Sequence, residues 1–214
     1  EATTGHMQHP PSAQRMAETV PEARLVFILR DPVERIYSHY RFHRQSGRLG
    51  PEDDFSSLIR DESSEWCRIQ LDNGRYHTHL TRFESHFDRS QMKILLLNDL
   101  KADASAVAQE LYEFAGVDPS VEPDLSRAHN AGGMPKYEGM YRAIQAFWQP
   151  VRDRLDIDVL DATQGIRDWV RDQLTDASEQ SKMPPADRAY LRDLYRDPNR
   201  WLEEWLGAEL SHWG

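Results

Sequence analysis

Arg30 stands where the sequence predicts that a strand ends and a helix begins, a position suited to binding a phosphate group. It directly follows the apolar run of residues 24–29, and Asp31 and Pro32 come next. Asp31 can cap a helix, and Pro32 suits the first helical position because its missing N–H would have no partner there. Unpaired N–H groups and the helix dipole favour an anion at such a terminus. The Arg30 guanidinium can add two charge-assisted hydrogen bonds to a phosphate.

Ser38 offers a hydroxyl further along the same predicted helix. At about 100° per residue, Ser38 lies about 140° around the helix from Val33 and so outside the apolar stripe. That stripe repeats at helical spacing: Val33, Ile36, Tyr37 and Tyr40. Two simpler roles stay open at this point. Arg30 could form only a surface ion pair with Asp31 or Glu34, and Ser38 could bond back to its own helical turn.

The elements around these residues predict an α/β fold. Residues 24–29 and 92–97 are short apolar runs, as expected of parallel strands that are covered on both faces. Residues 51–65 look irregular, after which Tyr76, Leu80, Phe83 and Phe87 repeat at helical spacing. The order of strands and helices predicts one three-layer α/β/α domain with a central parallel sheet, spanning residues 1–214.

The second half of the chain is predicted to be rich in helix. Asp103 can cap a helix that Gly116 ends in a left-handed conformation. Its expected core face is Val107, Leu111, Phe114 and Ala115. Residues 137–148 look helical, and the tail carries two apolar helical faces: Leu191, Leu194 and Tyr195, then Trp201, Leu202, Trp205 and Leu206.

Composition excludes some classes of function. The formal net charge of −10 and the pI near 5.4 oppose binding to nucleic acid over the whole surface, so any anion site must be local. The single cysteine, Cys67, cannot form an internal disulfide, which favours a reducing, cytoplasmic setting. No apolar run approaches the roughly 20 residues that span a bilayer. His39 and His43 have a zinc-compatible spacing but lack a third ligand, so no metal is predicted.

Residues 24–41 resemble the 3′-phosphate-binding segment of the sulfotransferases that use 3′-phosphoadenosine 5′-phosphosulfate (PAPS). The resemblance assigns the 3′-phosphate of PAPS, or of its product PAP, to Arg30 and Ser38. Residues 129–130 and 135–136 resemble the later loop that closes over the nucleotide, which makes Lys136 a second phosphate contact. Further segments follow in the family's order: Gly74-Arg-Tyr76, residues 94–100, residues 114–118 and residues 206–213.

This resemblance implies a P-loop-NTPase-like sulfotransferase fold and transfer of a sulfuryl group from PAPS to a hydroxyl or amine. The acceptor stays open among saccharide, phenol, lipid and peptide tyrosine. A nucleotide kinase is disfavoured because the sequence has no Gly-x-x-x-x-Gly-Lys-Ser/Thr loop.

The chain departs from the family's pattern at its start. The family's Gly-Thr-Thr loop, which binds the 5′-phosphosulfate, is not found, and residues 1–4 resemble a later segment. Ala2 stands where many members have lysine, and Thr4 and His6 replace other common residues. No catalytic residue is therefore assigned. The alternative is a truncated, non-catalytic module of the same fold that binds nucleotide or a protein partner.

Overall fold

The computed structural model describes residues 5–50, 52–118, 120 and 182–213, together with two short strands between the last two ranges. The chain divides into two compact units. The first comprises residues 1–36, 62–128 and 185–214, and the second comprises residues 37–61 and 129–184. The single domain predicted from the sequence stays a prediction.

Helices account for most of the described secondary structure. The elements are, in chain order, α1 (Ser12–Thr19), β1 (Leu25–Leu29), α2 (Pro32–Gln45), α3 (Phe55–Leu58), α4 (Glu65–Asp72), α5 (Tyr76–Glu84), β2 (Met92–Leu96), α6 (Leu97–Ala102), α7 (Ala104–Ala115), β3 (Met134–Pro135), β4 (Thr175–Asp176) and α8 (Pro185–Leu206). Short 3₁₀ turns cover Arg89–Gln91 and Ser211–Trp213. No helix in the described ranges is long and apolar enough to cross a membrane.

The two predicted strands form a parallel pair. β1 lies beside β2 with Leu25 opposite Met92 and Leu29 opposite Leu96. This confirms the parallel arrangement predicted from the two apolar runs. One face of β1 is covered, since Leu29 is buried, whereas Val26 and Ile28 on the opposite face are 45% and 54% exposed. The three-layer arrangement stays a prediction.

The core of the first unit packs beneath this sheet. It joins β1 and β2 to α1, α5, α8 and the C-terminal turn. Its buried members are Ala13, Phe27, Leu29, Tyr76, Leu80, Phe83, Phe87, Met92, Leu202, Leu210 and Trp213. Phe27 and Phe83 meet edge to face at 5.1 Å. All four residues that predicted the α5 region from helical spacing are buried, which confirms that amphipathic pattern.

The second unit has a small aromatic cluster of its own. The Phe55 ring packs edge to face on Tyr37 at 4.9 Å and lies 5.1 Å from the ring of Tyr40. The Tyr40 hydroxyl donates to the carbonyl of Asp53 at 3.1 Å. In the same unit β3 and β4 pair in antiparallel fashion, with Met134 opposite Asp176.

Helix termini follow the predicted signals closely. α2 begins at Pro32, and the Asp31 carboxylate accepts the N–H of Val33 at 2.8 Å. The Asp103 carboxylate accepts the N–H of Ala106 at 2.9 Å at the start of α7. α7 ends at Gly116, whose φ of 74° is a left-handed conformation that glycine adopts at low cost.

Other expectations were wrong in detail. Residues 51–65 are not wholly irregular, because α3 begins at Phe55 after a cap by Asp54. In α7 only Val107 is buried, whereas Ala115 is exposed. The tail is helical as predicted, and both of its apolar faces lie on one helix, α8, which continues through Pro198.

A buried histidine makes the stability of the first unit depend on pH. His79 on α5 is 1% exposed, and its Nε2 lies 2.9 Å from the carbonyl oxygen of Asp72. Its Nδ1 has no hydrogen-bond partner among the described residues. Burial lowers the pKa of His79 because the charged imidazolium loses hydration, and this outweighs the opposing effect of Asp72.

The folded state should therefore favour neutral His79. The contribution of His79 to the free energy of unfolding should be fully present above the ordinary pKa of 6.5 and should be lost as pH drops below it, because there the unfolded state binds the proton more readily. Urea unfolding between about pH 5 and 8 measures this slope. His79→Gln should make this slope shallower, whereas the lowered pKa of His43 should leave a remaining slope in the same pH range. An unchanged slope in His79→Gln would contradict the assignment.

The Asp31 cap should contribute measurably to stability. Asp31→Ala removes the acceptor for the Val33 N–H and should lower the free energy of unfolding by about 1 kcal/mol. Asp31→Asn keeps an acceptor oxygen and should lose less than half as much. Urea unfolding of both variants at pH 7.5 makes the comparison, and equal losses in the two would show that the cap is not the cause.

Candidate functional site

Arg30 lies between the end of β1 and the first residue of α2. Its side chain is 31% exposed, and its Nη2 atom is 3.9 Å from Glu34 Oε2, one helical turn away. A half-exposed ion pair at that distance contributes little energy. The Arg30 guanidinium is therefore held only loosely.

Glu34 has a closer cation. Arg188, near the start of α8, donates from Nη1 to Glu34 Oε1. Arg188 thus neutralises much of the charge that would otherwise attract Arg30. The result is an arginine at a helix N-terminus whose charge is not fully engaged, which is the arrangement that an anion needs.

The backbone at the strand end is fixed by Tyr76. The Tyr76 hydroxyl donates to the carbonyl oxygen of Arg30 at 2.8 Å. The tyrosine ring is 4% exposed and meets Trp213 edge to face at 6.0 Å. Burial raises the pKa of Tyr76 to about 12, so the hydroxyl stays neutral and can donate at physiological pH.

Arg35 forms a second polar contact on α2, which no pattern in the sequence indicated. Its Nη1 donates to the side-chain oxygen of Gln70 at 3.3 Å, and its Nη2 donates to the Gln70 carbonyl. The Arg35 Nε is buried and has no hydrogen-bond partner among the described residues. The contact ties the first turn of α2 to α4.

Tyr195 explains the glycine of the Gly74-Arg-Tyr76 segment. Its hydroxyl donates to the carbonyl of Leu71 at 2.9 Å, and burial raises its pKa. A Cβ at position 74 would lie only 2.6 Å from the Tyr195 hydroxyl oxygen. Any side chain larger than that of glycine would therefore displace the tyrosine. Gly74 is needed for packing, whereas Tyr76 contacts the strand end.

The other predicted site residues are placed as follows. Ser38 lies on α2 with its side chain exposed. Lys136 lies outside the described residues. No group of three or more metal-ligating side chains occurs in the parts of the chain that the structure describes, although the His39 and His43 rings are 4.2 Å apart.

Two of the three tryptophans in the tail pack within the first unit. Trp213 is buried in the core, and Trp205 donates from Nε1 to Glu84 at 2.8 Å while Arg89 covers its ring. Trp201 is 49% exposed.

Sequence comparison places these elements in a known family. Residues 6–131 match the family described as Sulfotransferase domain, a range that contains Arg30, Ser38 and Tyr76. A relative from Mus musculus, bifunctional heparan sulfate N-deacetylase/N-sulfotransferase 4, is 28% identical over 230 residues, covering 100% of this chain and 23% of the relative. Carbohydrate sulfotransferase 15 of Homo sapiens is 29% identical over 123 residues, covering 48% of this chain and 22% of the relative.

The chain therefore spans less than a quarter of the length of these curated relatives. A crystal structure of a sulfotransferase from Alicyclobacillus acidocaldarius superimposes with a TM-score of 0.67 at 20% identity, covering 100% of this chain and 66% of the other. That similarity shows the sulfotransferase fold. Because the family match extends over more than half of the 214 residues, this chain belongs to the sulfotransferase domain family.

Proposed function

We propose that the chain is the nucleotide-binding part of an enzyme that transfers a sulfuryl group from PAPS to an acceptor hydroxyl or amine. Arg30, Ser38 and Lys136 would contact the phosphates of PAPS and of its product PAP. The observation that carries this proposal is the position of Arg30, a loosely paired arginine between β1 and the N-terminus of α2.

The chemistry of that position suits the 3′-phosphate. A phosphate monoester carries up to two negative charges near neutral pH and accepts bidentate hydrogen bonds from a guanidinium. The N-terminal N–H groups of α2 add a positive dipole end. Arg188 favours anion binding at this position, because it engages the carboxylate of Glu34 that would otherwise repel an anion.

The finer architecture is part of the proposal. In the three-layer fold, a further layer would cover the face of β1 that exposes Val26 and Ile28, since parallel sheets are ordinarily covered on both faces. The 5′-phosphosulfate loop of the family, Gly-Thr-Thr with a basic residue, would be contributed by sequence preceding residue 1. In the described part of the chain, β1 pairs only with β2, which leaves the other edge of β1 open to a further strand.

A saccharide is the acceptor that the comparisons favour. The relatives are named as heparan sulfate N-sulfotransferases and a carbohydrate sulfotransferase. Transfer to an amine requires that the nitrogen lone pair attack sulfur while the bond from sulfur to the bridging oxygen of PAPS breaks. The nitrogen then loses a proton to a base, and PAP leaves with the bridging oxygen. The base stays unassigned.

A nucleotide-binding module without catalysis is the second candidate. It is favoured by Ala2, which stands where many members of the family have lysine. The two candidates share the 3′-phosphate site and differ in sulfuryl transfer.

Calorimetric titration with PAP and AMP tests the shared site, because AMP lacks the 3′-phosphate. The wild-type chain should bind PAP more tightly than AMP. Arg30→Ala should weaken PAP binding about 10- to 100-fold, as expected for the loss of charge-assisted hydrogen bonds, and should leave AMP affinity within about twofold. Arg15→Ala, at an exposed arginine on α1, is the matched control and should behave as wild type. Equal affinities of the wild type for PAP and AMP would overturn the proposal.

Transfer itself is tested with labelled PAPS and a polypeptide that includes the sequence preceding residue 1. A glucosamine-containing oligosaccharide with unsubstituted amines should accept the label, whereas its N-acetylated counterpart should accept at least about tenfold less if the amine is the nucleophile. Arg30→Ala serves as the low-activity control. Binding of PAP without transfer to either saccharide, or to a phenol control, would favour the non-catalytic module.

A further inference from the structure

The hydroxyl of Tyr76 joins two parts of the sequence that are distant from each other. It donates to the carbonyl oxygen of Arg30 at 2.8 Å, across 46 residues of sequence. The ring is buried against Trp213, so water does not have ready access to this carbonyl from the tyrosine side. Loss of this donor from a partly buried carbonyl would be costly, which makes the contact favourable.

This hydrogen bond fixes the peptide that follows Arg30. Because the peptide group is planar, the direction of the Arg30 carbonyl also sets the direction of the Asp31 N–H. On the other side, the Asp31 carboxylate accepts the N–H of Val33, and Pro32 restricts its own φ angle. The strand end is thus held from both sides, by Tyr76 before the helix and by the cap within it.

The Arg30 side chain receives little positioning from its own contacts. Its carboxylate partner among the described residues is Glu34, which is 3.9 Å away and is engaged by Arg188. Ordering a long side chain on binding costs affinity, and a fixed backbone at its base limits the directions that the side chain samples. The orientation of Arg30 must therefore come largely from its backbone.

We propose that Tyr76 is a positioning residue for recognition of the nucleotide 3′-phosphate, acting through the Arg30 carbonyl that its hydroxyl holds. The inference rests on the proposed function of Arg30. Tyr76 does not touch the nucleotide in this scheme. Its removal should weaken the contact with the 3′-phosphate and leave contacts with the rest of the nucleotide unchanged.

Tyr195 offers a matched control within the same unit. It is also a buried tyrosine whose hydroxyl donates to a backbone carbonyl, that of Leu71 at 2.9 Å. Leu71 lies on α4. Tyr76→Phe and Tyr195→Phe therefore each remove one buried hydroxyl and one hydrogen bond to the backbone, but only the first removes the donor to the Arg30 carbonyl.

The experiment is calorimetric titration of wild type, Tyr76→Phe and Tyr195→Phe with PAP and AMP, with thermal melting of each. Tyr76→Phe should reduce the ratio of PAP affinity to AMP affinity about three- to tenfold, as expected for loss of one hydrogen bond. Tyr195→Phe should keep the wild-type ratio. A general loss of folded protein would weaken both ligands alike and leave the ratio unchanged.

A donor placed back at the ring should restore recognition. Tyr76→4-aminophenylalanine retains an N–H near the position of the hydroxyl and should recover most of the ratio. If Tyr76→Phe does not fold, the 4-aminophenylalanine variant tests the positioning role instead. Because an aniline N–H is a weaker donor than a phenol, its PAP to AMP ratio should then fall below that of wild type, while the ratio of Tyr195→4-aminophenylalanine should not.

The outcomes distinguish failure of the positioning role of Tyr76 from failure of the proposed function on which it rests. Equal binding of PAP and AMP by the wild type would overturn both. A wild-type preference for PAP that Arg30→Ala abolishes, but that both Tyr76 variants retain in full, would overturn only the positioning role. In the double variant Arg30→Ala with Tyr76→Phe, the second change should have no further effect on the ratio; independent, additive losses would show that Tyr76 does not act through Arg30.

Discussion

The parallel pairing of β1 with β2 is the constraint from which the rest of the first unit follows. Parallel neighbours cannot be joined by a tight turn, so the chain between Leu29 and Met92 must cross over and return to the end of the sheet at which β1 begins. α2 begins that crossover immediately after β1, and α5 comes near its end. The carboxyl end of β1 is thereby brought to the start of a helix, and Arg30 is the residue at that junction.

Local charge decides what this junction can bind, because the whole protein is acidic. With a formal net charge of −10, long-range attraction does not bring an anion to the surface. The positive character is instead built from contacts between distant parts of the sequence. Arg188 contacts Glu34 across 154 residues of sequence. The Glu34 carboxylate, which could otherwise have paired fully with Arg30, is thus shared between the two arginines. The candidate site thus depends on partial neutralisation of one acid and not on an accumulation of bases.

Features with local signals could be predicted from the sequence. Asp31, Pro32, Asp103 and Gly116 each act on the few residues beside them, and the helix boundaries that they indicated are correct. The two strands could also be predicted, since each apolar run is short and continuous. α1 and α6 were not predicted, because short helices depend on packing that periodicity does not report. α3 was missed for the same reason.

The supporting contacts of the site could not be predicted, because each joins residues far apart in sequence. The partner of Arg35 is Gln70, and that of Tyr195 is Leu71. The resemblance marked the segment that contains Gly74 and Tyr76, but it did not explain physically why either residue is needed. Only the fold shows that Gly74 leaves room for the Tyr195 ring and that the Tyr76 hydroxyl holds the carbonyl of Arg30 at the strand end.

Because Cys67 is buried, the rate at which a thiol reagent labels it can report local opening of the protein. The sequence contains one cysteine, and the structure places it at 0% exposure on α4, the helix that also carries Gln70. A thiol reagent can reach that sulfur only when α4 detaches or the unit unfolds. The labelling rate of the unmodified protein therefore follows motion in the helix behind the Arg30 junction, and slower labelling in the presence of nucleotide would register ligand-induced tightening there without an introduced probe.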